Sequence, residues 1–70
     1  MMPLTLANLD EELTIVRVGG KPEAKKHLED LGFTSGSTVR VITSNDGNLI
    51  VNVKDSRIAL DRDMAMKIMV

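Results

Sequence analysis

The sequence predicts a mainly β protein, a small barrel of about five short strands capped by one α-helix. Three observations lead to this prediction. Apolar and polar residues alternate in short runs at 38–43, 49–53 and 58–60, and turn-forming residues separate those runs. Helical spacing of apolar residues is confined to about residues 21–31. Alternation with a period of two is typical of strands that bury one face.

The length of 70 residues predicts a single domain that covers residues 1–70. A chain of this size buries only ~60% of the surface that its unfolded form exposes. The sequence has no cysteine that could add a cross-link. A sheet that curls around its own core is one way for such a chain to enclose apolar side chains. The oligomeric state is left open by these observations.

The first predicted strand covers residues 13–18. Its alternation places Thr14, Val16 and Val18 on one face, and Gly19-Gly20 ends it. The leucines that precede it are predicted to be extended and to close one end of the barrel: Leu4, Leu6 and Leu9.

The predicted helix, about residues 21–31, has Pro22 in its first turn, where a missing N–H costs nothing. Ala24, Leu28 and Leu31 are spaced by one helical turn or two and form a narrow apolar stripe that faces the core. Gly32 then provides a left-handed stop, after which Phe33 can fold back onto the stripe.

The second half of the chain predicts a β-hairpin, a third strand, a short helical turn and a closing strand. Asp46-Gly47 tolerates the positive φ that a two-residue hairpin turn requires. A helical turn is expected near residues 61–65, with Asp61 or Asp63 as its cap, and a last strand at 67–70. The residues predicted to face inward are Val39, Val41, Leu49, Val51, Val53, Ile58 and Leu60. This order of elements indicates a partly open SH3-like barrel, with an OB-like barrel as the structural alternative.

The charge balance argues against a nucleic-acid partner. Lys and Arg number 9 and Asp and Glu number 10, which gives a formal net charge of −1. Nucleic-acid affinity depends mainly on phosphate contacts made by a basic surface. Phe33 is the one aromatic residue, so the chain has no platform on which bases could stack.

Residues for metal binding or catalysis are sparse. His27 is the single histidine, and Glu23 stands one helical turn before it, but no third ligand is evident. These two residues are the weak candidates for a transition-metal site, and the interpretation we prefer is a helix-edge histidine. The chain also lacks cysteine, and its serines stand in turns or at strand ends without a neighbouring base. We therefore expect no enzyme activity and no cofactor.

The N-terminal residues 1–6 lack the basic start and apolar stretch of a signal peptide. No apolar run approaches the ~20 residues that a membrane-spanning helix needs. We therefore expect a cytoplasmic protein that does not insert into the membrane directly.

Taken together, the glycine-ended helix, the Gly turn with Val-x-Val and the closing strand resemble the FeoA family. The positions that match the family pattern are Leu28, Leu31, Gly32, Gly36, Val39, Val41, Ala59, Leu60, Ala65, Ile68 and Val70. The resemblance implies an SH3-like core domain. It also implies a small accessory or adaptor protein that supports ferrous iron uptake by binding or regulating FeoB, a membrane GTPase-permease. Recruitment to the inner face of the membrane would then come through the cytoplasmic GTPase domain of that partner.

Two basic positions of the family pattern differ in this chain. His27 stands where an arginine often precedes the first leucine of the helix motif, and Asp61 stands where a basic residue often follows Ala-Leu. If those positions contact a partner in the family, the contact here differs in detail.

Partner contacts are expected on the exposed side of the helix, on the turn after it and at the hairpin tip, because such surfaces often carry binding residues. The candidate contact residues are Lys25, Lys26, Glu29, Thr34, Ser35, Asp46 and Asn48. The alternative function is a free-standing SH3-like module that modulates a metal-dependent transcriptional regulator.

Overall fold

The computed structural model describes all 70 residues, and it contains six strands and two helices. In chain order the elements are a 3-10 turn (Leu4–Leu6), β1 (Glu12–Thr14), β2 (Arg17–Val18), α1 (Pro22–Asp30), β3 (Thr38–Asn45), β4 (Asn48–Val53), β5 (Ser56–Leu60), α2 (Arg62–Met66) and β6 (Ile68–Met69). One sheet has the order β1-β3-β4-β5, and a second pairs β2 with β6. The mainly β, SH3-like class is confirmed, and the barrel is open because the two sheets remain separate.

The single strand predicted for residues 13–18 is wrong, since the chain bends there and divides into β1 and β2. The Ile15 N–H donates to the Ser37 carbonyl at 2.8 Å, whereas the next N–H, of Val16, donates to the Met69 carbonyl at 2.8 Å. The chain therefore leaves β3 and joins β6 within two residues. The bend shifts the alternation, so Ile15 is 1% exposed and Val16 is 50% exposed. Thr14 and Val16 are exposed whereas Val18 is buried, so the three residues do not share one face as predicted.

Helix α1 matches the predicted segment, since Lys21 is its N-cap and Leu31 its C-cap. Gly32 has φ +111°, and its N–H donates to the Glu29 carbonyl at 3.0 Å. The Phe33 N–H donates to the Leu28 carbonyl, also at 3.0 Å. This pair of bonds is the Schellman motif, which satisfies carbonyls at the helix end. The predicted glycine stop is confirmed, and it turns Phe33 into the core.

Two hairpins, β3–β4 and β4–β5, close on two-residue turns. Asp46 and Gly47 have φ of +53° and +87°, and Lys54 and Asp55 have φ of +47° and +64°. Positive φ at both central residues defines the turn type whose twist matches that of the flanking strands. The first turn is as predicted. In the second, no glycine is present, and Lys54 and Asp55 adopt the left-handed conformation themselves.

The core consists of 13 buried apolar residues on the inner faces of both sheets and under the helices: Leu4, Ile15, Val18, Leu28, Phe33, Val39, Val41, Leu49, Val51, Val53, Leu60, Ala65 and Ile68. No polar or charged residue is buried. Of the three opening leucines, Leu4 is buried, but Leu6 and Leu9 are 67% and 54% exposed. The extended start predicted for them is wrong, because residues 4–6 form a 3-10 turn. Residues two apart in such a turn lie on different sides of it.

Candidate functional site

Helix α1 presents a charged surface to solvent. Leu28 is its one fully buried residue, and Ala24 is half-buried beside it. The predicted contact residues Lys25, Lys26 and Glu29 are all exposed. The helix therefore offers both signs of charge on a surface that makes no contribution to the core.

The turn after α1 is held in one conformation by hydrogen bonds. The hydroxyls of Thr34 and Ser37 lie 2.6 Å apart, and the Ser37 N–H donates to the Thr34 carbonyl at 3.0 Å. The Ser35 hydroxyl donates to the Val16 carbonyl at 2.7 Å. Since ordering a loop on binding costs free energy, a turn that is already ordered favours association.

Asp46 and Asn48 lie at the other end of the β3–β4 hairpin, apart from the remaining predicted contact residues. Strand β3 is 8 residues long, and at ~3.3 Å per residue it separates the two ends by roughly 25 Å. The Asn48 Oδ1 atom accepts from the Arg62 N–H at 3.0 Å, so this side chain fixes the start of α2. The structure thus brings the helix and turn residues into one region and places the hairpin tip in another.

The outer face of the larger sheet carries a polar depression of about 520 Å³ that the sequence did not predict. It is lined by Glu12, Ser37, Thr38, Arg40, Asn52, Lys54 and Asp55. Within it, Arg40 Nη2 and Glu12 Oε2 lie 3.2 Å apart. Both side chains are exposed, and water weakens such an ion pair. The depression adjoins the turn after α1 through Ser37.

Strand pairing brings together three of the residues that line this depression and continues the same row to Arg57. Glu12 is opposite Arg40, Arg40 is opposite Asn52, and Asn52 is opposite Arg57, so one outward residue from each strand forms a row across the sheet. The alternation predicts that Arg40 and Asn52 point outward. The neighbour of each residue depends on the register, which a β-bulge between Val41 and Thr43 changes. Sequence alternation alone gives no signal for that bulge.

His27 and Glu23 are exposed, one turn apart on α1. No group of three or more His, Cys, Asp or Glu side chains converges in the chain. A structural zinc site uses four protein ligands and a catalytic one usually three. His27 and Glu23 together supply two side-chain ligands, fewer than either kind of zinc site uses.

Neither helix is long and apolar enough to cross a membrane.

The fold defines a small SH3-like protein of the mainly β class. A family model described as the FeoA domain matches residues 2–70. The chain belongs to the FeoA family.

Relatives with similar sequences and structures agree with this assignment. A Methanocaldococcus jannaschii protein named "Putative Fe(2+) transport protein A" is 37% identical over 70 residues, which are 100% of this chain and 85% of that protein. The crystal structure of an iron uptake regulatory protein, FeoA, superimposes with a TM-score of 0.90 at 27% identity and covers 99% of this chain and 93% of that chain. The Stenotrophomonas maltophilia FeoA complexed with zinc, described as a prokaryotic SH3 domain protein, has a TM-score of 0.86 at 25% identity, over 100% of this chain and 89% of that one.

The same fold occurs within a larger protein. A manganese-dependent transcriptional repressor superimposes with a TM-score of 0.84 at 19% identity, covering 94% of this chain but 38% of the repressor. At this identity the likeness concerns the fold alone.

Proposed function

We propose that this protein is a small cytoplasmic accessory protein that supports ferrous iron uptake by binding the cytoplasmic GTPase domain of an FeoB-type permease. The observation that carries the proposal is the match to the FeoA domain over residues 2–70. The relative whose name refers to Fe(2+) transport aligns with 100% of this chain, which supports the same function for the whole domain.

The contact surface that we propose is the exposed side of α1 together with the turn at residues 34–37. Lys25 and Lys26 supply positive charge and Glu29 negative charge, all exposed. The hydroxyl of Ser35 anchors the turn to the backbone of Val16. A helix joined to an ordered turn needs little rearrangement on binding, and Lys25 and Lys26 would attract acidic groups of a partner.

We propose that the protein acts on the permease by binding rather than by supplying an arginine to the GTPase reaction. An arginine finger must be held in position to stabilise the charge of the transition state. Arg40 is engaged with Glu12 in an exposed ion pair, and no side-chain hydrogen bond or ion pair holds Arg17, Arg57 or Arg62. Stabilising the transporter, assembling it or altering its nucleotide cycle through contact are consistent with this proposal.

The second candidate function is modulation of a metal-dependent transcriptional regulator by a free-standing module. The observation that favours it is that a manganese-dependent repressor contains the same fold, over 38% of its own chain. In that case the partner of this chain is a soluble regulator rather than a permease.

A capture experiment separates the two candidates. The tagged chain is incubated with detergent-solubilised membranes and, separately, with the soluble fraction of iron-starved cells of its source, and bound proteins are identified by mass spectrometry. We expect the tagged chain to capture the permease from the membranes. The Lys25→Glu/Lys26→Glu variant should no longer capture it. Recovery of a metal-responsive regulator without the permease would overturn the proposal in favour of the second candidate.

A further inference from the structure

Strand β5 is a free edge of the four-stranded sheet. The sheet order β1-β3-β4-β5 leaves β5 paired on one side only. The opposite edge strand, β1, has 3 residues and continues directly toward β2 and the second sheet. β5 has 5 residues and follows a regular register with β4. Edge strands present unpaired backbone groups to which another strand can bind.

The register identifies which backbone groups of β5 are free. The residues that flank a two-residue hairpin turn form a hydrogen-bonded pair, and here that pair is Val53 and Ser56. Hydrogen-bonded pairs then alternate along the hairpin, so Arg57 and Ala59 direct their N–H and carbonyl groups away from β4. Neither residue has another backbone hydrogen bond outside the sheet, and both are exposed.

We propose that the β5 edge binds β5 of a second copy of this chain, antiparallel, about a two-fold axis at Ala59. The two four-stranded sheets then form one continuous sheet. Ala59 lies opposite Ala59 of the second copy, and Arg57 lies opposite Asp61 of the second copy. Asp61 is extended, with φ −75° and ψ +169°, and it is the N-cap of α2. Its carbonyl accepts from the Ala65 N–H and its Oδ1 from the Met64 N–H, so its own N–H and its Oδ2 are the groups that face the second copy. The proposal does not depend on the identity of the iron-transport partner.

Charge and size complementarity support a second copy as the occupant. In this register an Arg–Asp pair stands on each side of the axis, and opposite charges across strands are favourable. At the axis, two small alanines meet without a clash. Ile50, which pairs with Ala59 within each chain and is 37% exposed, extends an apolar strip outward on both sides.

The other two-fold registers are less complementary. An axis at Arg57 places two arginines opposite each other, and like charges in that position are destabilising. An axis at Ile58 places Arg57 opposite Ala59 and leaves the arginine without an acidic neighbour. β5 has no proline, lysine or bulge of the kind by which many edge strands prevent pairing, and Arg57, its one charged residue, faces Asp61 in the proposed register.

Single-cysteine variants of the full chain test both the contact and its register, because the natural chain has no cysteine. Ala59→Cys is oxidised with glutathione disulfide at about 100 μM protein, where a dimer of micromolar dissociation constant is nearly saturated. Cα atoms of a hydrogen-bonded cross-strand pair are ~5.5 Å apart, within the range that a disulfide spans. We expect Ala59→Cys to form a covalent dimer.

Arg57→Cys is the matched control, because the two substituted positions would lie roughly 14 Å apart across the axis. We expect it to remain monomeric on a non-reducing gel. A monomeric Ala59→Cys protein, or equal cross-linking of the two variants, would overturn the proposal.

Sedimentation equilibrium of cysteine-free variants tests the noncovalent contact. Arg57→Glu places a carboxylate opposite Asp61 at both ends of the contact, and we expect the dimer dissociation constant to rise about tenfold or more. Lys26→Glu makes the same change in net charge on α1 and should leave the dissociation constant unchanged. An unmodified chain that is monomeric at about 100 μM, or equal effects of the two substitutions, would contradict the proposal.

Discussion

Gly32 shows at a single position how the backbone conformation depends on residue type. Its φ of +111° allows the Schellman motif to close α1, and the next residue, Phe33, is 0% exposed. A Cβ atom at position 32 would lie 3.4 Å from Cδ of Lys54. The strained φ is therefore the main cost of any side chain here, since the lysine stem can shift.

Gly32→Ala should lower the free energy of unfolding by about 1–2 kcal/mol, because L-residues rarely adopt this conformation. Urea denaturation followed by circular dichroism measures the change. Gly19→Ala is the control, since Gly19 does not have a positive φ and the nearest atom to a Cβ there is a carbonyl oxygen at 3.7 Å. We expect the control to change stability by less than about 0.5 kcal/mol. Equal losses for the two variants would show that the backbone conformation is not the cause.

At the level of single elements, the structure agrees with the sequence pattern where a local signal decides the conformation. Helix α1 is marked by its proline, its stripe and Gly32, and the first hairpin by Asp46-Gly47. The error at residues 13–18 arose because the bend after Ile15 is fixed by partners distant in sequence, Ser37 and Met69. The alternation of residues cannot indicate where a chain passes from one sheet to another.

Helix α2 is short, and its first turn is held by two side chains. The Asp61 Oδ1 atom accepts from the Met64 N–H at 2.8 Å, and Asn48 Oδ1 accepts from the Arg62 N–H at 3.0 Å. The first bond is a local cap that the sequence predicts. The second comes from the hairpin tip, 14 residues earlier in the chain, and ties α2 to the sheet.

Removal of either cap should destabilise the protein. In thermal or urea unfolding, we expect the free energy of unfolding to fall by about 1 kcal/mol for Asp61→Ala and by about 0.5–1.5 kcal/mol for Asn48→Ala. Asn48→Asp keeps an acceptor at the same place, so it should lower the free energy of unfolding less than Asn48→Ala does. If Asn48→Ala has no effect on stability, then the bond to Arg62 does not hold α2.

At the scale of the whole molecule, the fold and the family could be predicted, whereas the arrangement of the surface could not. The outer row Glu12, Arg40, Asn52 and Arg57 comes from all four strands of the larger sheet. Its assembly requires the register, including the bulge in β3, and no local pattern specifies that register. The proximity of the candidate residues on α1 and in the turn after it could be predicted because they are neighbours along the chain, and their role in a contact stays a prediction.

The molecule combines a wholly apolar core with two distinct exposed features, the charged side of α1 and the free edge β5. These features use different residues. The proposed dimer through β5 therefore leaves Lys25 and Lys26 free for the proposed contact with the permease. Binding to the GTPase domain and self-association can accordingly be measured and disrupted independently.

Isothermal titration calorimetry of the two purified proteins measures the proposed contact with the FeoB-type GTPase domain. We predict saturable binding that weakens about tenfold or more with Lys25→Glu/Lys26→Glu and weakens with added salt, since charges there would steer and hold the partner. Lys26→Glu alone should weaken binding more than Arg62→Glu, which makes the same change in net charge near the hairpin tip. Absence of binding to the GTPase domain at low salt would contradict the account, and binding that is insensitive to Lys25 and Lys26 would contradict the proposed surface.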